Sequence, residues 1–366
     1  MTTQTDAPLF SRADELTDWH RWQRRQQPWP RRLKARLRPD RPSSRWLIRG
    51  PETIHTLVAL ESYSPTQMAA LVEPIAARPE VRGVAYLVPT SDPPALPGMG
   101  VPHEVRRTEI VGADGSVPAV LSELQQILAV GDYLGSGRLA GQWARQRGAR
   151  FVVAQHGLLA HQAPPLPADC ELLAFTAQDG AWWTAGRPDV QVHEVGLQIL
   201  WRAATRSRVS QDASGSGDGP GVFLGQLHGA ELPRADFARA ALQYCRATGA
   251  RYRPHPAETD RLSRLMHGLA ARQGVTVDRS GGPLSQTRGP VAAVFSTGVL
   301  EAAYAGRRSW VVHPDPPRWL QMFWSRYGLS RWRPDAPDHS PTTPPVQPLV
   351  APAASIADHL FGKDQA

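Results

Sequence analysis

The sequence predicts an α/β protein built as two halves in tandem, and three observations carry that prediction. Short apolar runs of strand character, such as Thr56-Leu57-Val58-Ala59-Leu60 and Arg150-Phe151-Val152-Val153-Ala154, alternate with stretches of helical periodicity. Alternation of this kind implies a parallel sheet covered on both faces. It breaks at residues 207–220, a polar, Gly/Ser-rich stretch of linker composition, and starts afresh beyond it. Polar turns sit where the strand-like runs stop, which is where such sheets bind ligands. A chain of 366 residues has room for two ordinary domains.

Taken in order, residues 1–45 form an arm without a sustained apolar period. Most of the formal net charge of +8 lies there: Arg21 to Arg38 holds no acid and interleaves Trp22 and Trp29 with arginine and Lys34. Such a segment suits an anionic membrane surface, where indoles settle at headgroup depth and guanidinium groups pair with phosphates. It equally suits an arm packed on its own protein through Trp19, Trp22, Trp29 and Trp46. Nucleic acid ranks third, because a chain with only two lysines (Lys34 and Lys363) and abundant Arg, Ala, Pro and Gly has the composition a GC-rich genome can give, which weakens arginine content as evidence for it.

Residues 46–206 read as the first α/β domain, with strands at 56–60, 81–88, 127–130 and 150–154 and two short ones around 172–175 and 191–195. Helices are expected at 65–77, with Ser64 as N-cap and Pro65 in the first position, at 117–126 and at 137–147. The proline-rich stretch 89–104 reads as a loop. After the linker, residues 221–333 form a second domain, with strands at 222–224, 249–253, 275–277, 291–295 and 309–312 and helices at 233–248, 260–273 and 299–305. A proline-rich tail, 334–366, ends in a short helix near 355–361. Cys170 and Cys245 fit no metal or redox spacing and read as reduced core residues. No apolar run approaches the ~20 residues that span a bilayer, and the start lacks the basic-then-apolar layout of a signal peptide. The expected location is the cytoplasm, with the arm able to hold the protein on the inner face of the membrane.

Two turns carry the chemistry. Tyr252-Arg253-Pro254-His255-Pro256-Ala257-Glu258 holds a histidine between two prolines, which restrict the backbone around it. Phe295-Ser296-Thr297-Gly298 runs from a strand into a helix, so free N–H groups, a favourable dipole and two hydroxyls meet in an anion site. Each residue also has a plainer reading: His255 as a hydrogen-bonded strand end, Ser296 and Thr297 as helix caps, Asp132 as a turn former, His156 as a packed loop residue, Glu258 and Glu301 as ion-pair partners of nearby arginines. Gly225, Gln226 and His228 follow the first strand of the second half, where a Gly-rich turn could lie against a nucleotide. The spacing offers no metal-ligand cluster.

Gly225-Gln226, the His255 turn and the stretch from Phe295 through Glu301 and Ala302 to Gly306 resemble the C-terminal half of GT-B-fold glycosyltransferases. The nearest likeness is to bacterial capsule enzymes of the polysialyltransferase-like and CDP-glycerol glycerophosphotransferase-like groups, and the Gln155-His156-Gly157 turn is similar to an element of their N-terminal half. The resemblance spans about residues 125–312, is strongest over 222–312, and lacks the family's acidic triplet. It implies two facing Rossmann-like domains with an interdomain cleft and a CMP- or CDP-linked donor, needing no further cofactor. It implies a donor site of Arg253, His255, Ser296, Thr297, Gly298, Gly225, Gln226, His228, Glu258 and Glu301. His156 or Asp132 would act as base toward a hydroxyl of a cell-surface glycopolymer or lipid-linked acceptor. A nucleotide-sugar 2-epimerase is the close alternative; a non-catalytic basic RNA- or membrane-binding protein is the alternative from another class.

Overall fold

The computed structural model describes residues 6–26, 44–99, 104–111, 115–210, 219–227, 229–282, 284–336 and 340–362. Its strands are β1 (Arg45–Arg49), β2 (Thr56–Ala59), β3 (Val84–Val88), β4 (Arg106–Ile110), β5 (Gln126–Ala129), β6 (Arg150–Ala154), β7 (Glu171–Ala174), β8 (Gln191–Glu194), β9 (Val222–Leu224), β10 (Arg251–Arg253), β11 (Val291–Ala293) and β12 (Ser309–Val311). Its helices are α1 (Leu16–Gln26), α2 (65–76, with a π-helical stretch at Met68–Val72), α3 (Gly135–Arg147), α4 (Ala177–Thr184), α5 (Gln198–Ser210), α6 (Arg234–Thr248), α7 (Arg261–Arg272), α8 (Thr297–Tyr304), α9 (Arg318–Arg326) and α10 (Pro352–Phe361). Two compact units divide the chain: Ala7–Gly157, Gln162–Ile199 and Pro348–Ala366 make up one, while Leu200–Gln347 with Leu158–His161 and the amino terminus make up the other.

The first unit holds an eight-stranded sheet in the order β4-β1-β3-β2-β5-β6-β7-β8. From β3 through β8 all neighbours are parallel, whereas β1 runs antiparallel to both β3 and β4. The sheet is therefore mixed, not purely parallel as the alternation suggested. The parallel strands alternate side chains between two buried faces. Val58, Tyr86, Leu128, Val152 and Leu173 join one core cluster with Leu71 and Ile75 of α2 and with Ile356 and Leu360 of α10. Fully burying each such side chain contributes roughly 1.5–3 kcal/mol. Helices α3 and α4 complete the unit, α3 packing on β2, β3, β5 and β6, and α4 on β7 and β8.

Local rules explain most element ends. Ser64 accepts the Gln67 N–H ahead of Pro65, and Thr176 accepts the Asp179 N–H at the start of α4. The helix expected over 117–126 does not form. A 3₁₀ turn at Ala119–Leu121 follows Pro118, and Gln126 is already in the sheet, its amide donating to the Thr56 hydroxyl and the Leu360 carbonyl. Strand β3 starts at Val84, after Gly83 in the left-handed region. The linker begins later than composition suggested, because α5 continues through Ser210; residues 211–218 lie outside the described part of the chain.

The second unit holds a four-stranded parallel sheet in the order β10-β9-β11-β12. Phe223 and Tyr252 turn to one face, where Phe223 meets Tyr244 of α6 and Tyr252 meets His267 of α7. Val222, Val291 and Ala302 turn to the other, with α8. The strand expected over 275–277 is reduced to a single bridge between Tyr252 and Val277. The aromatic, basic stretch near residue 320 forms α9, with Leu320, Phe323 and Trp324 buried; the Trp324 indole donates to the Val294 carbonyl at 2.8 Å.

At the amino end, α1 is pinned by Trp19, which is buried, stands edge-on to Tyr133 and donates to the Gln162 carbonyl at 3.0 Å. From Ala7 to residue 26 the arm thus belongs to the unit of the eight-stranded sheet, with Arg21, Arg24 and Arg25 exposed; residues 27–43, which hold the rest of the basic run, lie outside the described part. Cys170 and Cys245 are free and buried, and burial pushes both thiols up to about 12. Among the described residues, no helix is long and apolar enough to cross a membrane.

Candidate functional site

Both sheets repeat one topology. In chain order, the strands of β3-β2-β5-β6 come second, first, third, fourth, and so do those of β10-β9-β11-β12. The strand order therefore reverses between β2 and β5 in one unit and between β9 and β11 in the other. A crevice opens beyond the carboxyl ends of the strands at such a switch point.

At the second unit's switch point, Gln226 stands two residues beyond β9, and its Oε1 accepts the N–H groups of Val294 and Phe295, each at 3.1 Å. Ser296 stands three residues beyond β11 and caps α8, its hydroxyl accepting the Gly298 N–H at 3.1 Å. The Thr297 hydroxyl accepts the Leu158 N–H at 3.1 Å. At Gly298 an added Cβ would sit 2.5 Å from Leu224 Cδ1, so a larger residue here would require that leucine side chain to move.

Gly225 is equally confined: a Cβ there would meet the Tyr252 hydroxyl at 2.4 Å and Glu258 Oε1 at 2.6 Å. Glu258 is buried with both oxygens engaged. Oε1 accepts the Leu227 N–H at 3.0 Å; Oε2 accepts the Tyr252 hydroxyl at 2.9 Å and pairs with His267 Nε2 at 2.8 Å. These bonds make Glu258 a clamp on the turns after β9 and β10. His255 is exposed beyond β10, and its Nδ1 accepts the Ala257 N–H at 3.1 Å, so the neutral ring carries its proton on Nε2. Partial desolvation draws its pKa below the usual histidine range, against the pull of Glu258.

Arg253 takes a different neighbourhood. With Arg251, Asp278, Gln286 and Arg288 it lines an open cavity of about 380 Å³, and neither His255 nor Ser296 is among the lining residues. Glu301, half-buried on α8, has its pKa raised by burial, opposed by Arg202, Arg307, Arg206 and Arg253 around it. The structure thus brings Gln226, Ser296, Thr297 and Gly298 together and sets Arg253 apart in the cavity. His228 lies outside the described residues.

The first unit's switch point is acidic. Glu61, two residues beyond β2, accepts the Gly137 N–H of α3 at 2.7 Å and lies 3.7 Å from Arg45. Asp132, three residues beyond β5, is buried, with Arg145 3.9 Å away. Burial is the leading influence on both carboxyls and raises both pKa values. His156, one strand further along, is half-buried, and desolvation draws its imidazole down to about 4. The turn carrying it is held by Gln155, which donates to the Gly157 carbonyl at 2.9 Å and to Asp179 at 2.6 Å and accepts the Phe175 N–H at 2.9 Å.

Sequence reading passed over Glu61, although an acid directly after the apolar run 56–60 is the same signal that marked Asp132. Comparison with protein families, characterised proteins and solved structures finds no match to this chain.

Proposed function

We propose that the chain is a transferase of the GT-B kind, moving a sugar or a glycerol-phosphate-like unit from a cytidine-linked donor, CMP- or CDP-activated, to a hydroxyl acceptor. The observation that supports this most is the second unit's switch point, where a helix N-terminus with a neutral serine cap opens beside β9. Free N–H groups and the helix dipole favour an anion there. The Ser296 and Thr297 hydroxyls can turn to a phosphate oxygen, and the Nε2–H of His255 is the donor a departing phosphate needs. Glu258 and Gln226 hold these turns in place.

In this reading the first unit serves the acceptor, a hydroxyl of a cell-surface glycopolymer or its lipid-linked precursor. A base works best when its pKa lies near the operating pH. An imidazole drawn down to about 4 is a weak base, whereas Asp132 stands at the switch point itself, where burial raises its carboxyl pKa. Asp132 therefore takes the base role, with His156 a neutral hydrogen-bonding partner of the acceptor. Transfer without hydrolysis also requires that water be excluded from the reacting groups.

Calorimetric titration with CMP, CDP, UDP and GDP tests the reading. A cytidine nucleotide should bind, and Ser296→Ala should weaken it about tenfold, the scale of one lost hydrogen bond to a charged group. Absence of binding by all four, or a Ser296→Ala protein that binds as the parent does, rejects the donor site.

A further inference from the structure

Away from both switch points, one side-chain cluster in the first unit has the donor set of a metal centre. Glu171 opens β7, and His193 lies on β8 in register with Leu173, two residues further along β7. Side chains two apart on a strand share a face, so Glu171 and His193 project to the same side of the sheet. On that side α10 packs, with Ile356 and Leu360 in the core cluster that includes Leu173. Its His359 completes the group: one donor atom from each of the three residues lies within 4.8 Å of the other two. His359 Nε2 is 2.6 Å from Glu171 Oε2, and the two imidazoles stand 4.4 Å apart between centroids. His193 Nε2 is buried and has no hydrogen-bond partner among the described residues, an arrangement that costs free energy unless something occupies it.

We propose that Glu171, His193 and His359 bind a divalent transition-metal ion of the zinc class, which fastens α10 to the edge of the eight-stranded sheet. Two imidazole nitrogens and one carboxylate oxygen form a set that suits zinc and its neighbours, while magnesium and calcium take oxygen ligands. Ligand bonds of about 2.0–2.2 Å place tetrahedral donor atoms roughly 3.3–3.6 Å apart. The wider pairs therefore close by up to about 1.5 Å and the Glu171–His359 pair opens by up to about 1 Å, shifts that side-chain torsions supply. A fourth position remains for water.

Arg150 is the competing group. It holds both Glu171 oxygens at 2.8 Å and approaches His359 at 3.4 Å. Metal binding turns Oε2 to the ion and leaves Arg150 on Oε1, where the guanidinium orients the ligating carboxylate. The ligands come from two strands and a helix far apart in the chain, so no local motif announces them.

Zinc chloride titrated calorimetrically into the full-length protein, with metal content measured after dialysis, tests the proposal. One zinc per chain should bind and raise the melting temperature by about 3 °C at a hundredfold excess over Kd, and magnesium should do neither. His193→Gln and His359→Ala should each weaken zinc binding at least tenfold. His193→Gln lies on an edge strand and preserves the core, so it keeps the test sound should His359→Ala lose its fold by circular dichroism. No stoichiometric zinc, or undiminished zinc binding by folded His193→Gln, overturns the proposal.

Discussion

The two sheets use one strand order and fill its switch point in opposite ways. Two residues beyond the first strand of each topology stands Glu61 in one unit and Gln226 in the other; three residues beyond the third stands Asp132 in one and Ser296 in the other. Each acid of the first unit thus has a neutral polar counterpart in the second, isosteric for Glu61 and Gln226. Glu61 reaches across to the N–H of Gly137 in α3, as Gln226 reaches across to those of Val294 and Phe295. The first unit therefore answers its own helix dipole with a carboxylate. The second leaves the charge to be supplied, as the proposed donor phosphate would do. The proposed proton abstraction and phosphate binding make opposite electrostatic demands, and exchanging acid for amide and hydroxyl on one backbone plan is what that reading requires.

On the proposed reading, removing the Asp132 charge should give the largest effect. Asp132→Asn should lower transfer by about 10²–10⁴-fold, the usual contribution of a positioned base, with nucleotide affinity unchanged. Loss of both together would mean that Asp132 serves the donor. Next is the clamp of the second unit. Glu258→Ala strands the buried Leu227 N–H and Tyr252 hydroxyl and unpairs His267, which should cost about 3–5 kcal/mol in urea unfolding. An unfolding curve that does not move would show the turns to be held by other contacts.

Smaller still, His255→Ala should weaken cytidine-nucleotide binding about tenfold by calorimetry and leave the urea midpoint unchanged, because the ring is exposed. The finest effect concerns Glu61. Its folded pKa is raised above 4.5 by burial, so the folded state favours the protonated form. The resulting stability is present below the unfolded value and is lost as pH rises through the folded one. Glu61→Gln lacks this loss, so the stability difference between variant and parent should shift in the variant's favour as pH rises through that window. Urea unfolding of both proteins at stepped pH reads the sign, and a pH-independent difference would remove Glu61 from the titration.

How much of this was legible in the sequence follows from how local each signal is. Strands β2, β6, β9 and β11 announce themselves as apolar runs because both their faces are buried. The cap at Ser296 was equally plain, since hydroxyl, glycine and helix lie together in the chain. Strand β4, by contrast, reads Arg-Arg-Thr-Glu-Ile and is largely exposed, and β1 is flanked by Arg45 and Arg49. Neither has the pattern of a buried strand, so the antiparallel edge went unseen. Gln126 was misplaced in a helix because its bonds to Thr56 and Leu360 are set by distant parts of the chain. Glu258 looked like a ligand because its spacing from His255 is local, while its partner His267 comes from the next helix. The correspondence of Glu61 with Gln226 depends on sheet order, which no stretch of sequence displays.

An isosteric exchange tests the central claim most directly. Gln226→Glu keeps the shape and an oxygen to accept the Val294 and Phe295 N–H groups, yet places the first unit's charge at the second unit's switch point. Calorimetric titration with CDP should give at least a tenfold loss of affinity for Gln226→Glu and none for Glu61→Gln, with both variants folded by circular dichroism. A Gln226→Glu protein that binds CDP as tightly as the parent would contradict the assignment of the neutral switch point to the donor phosphate.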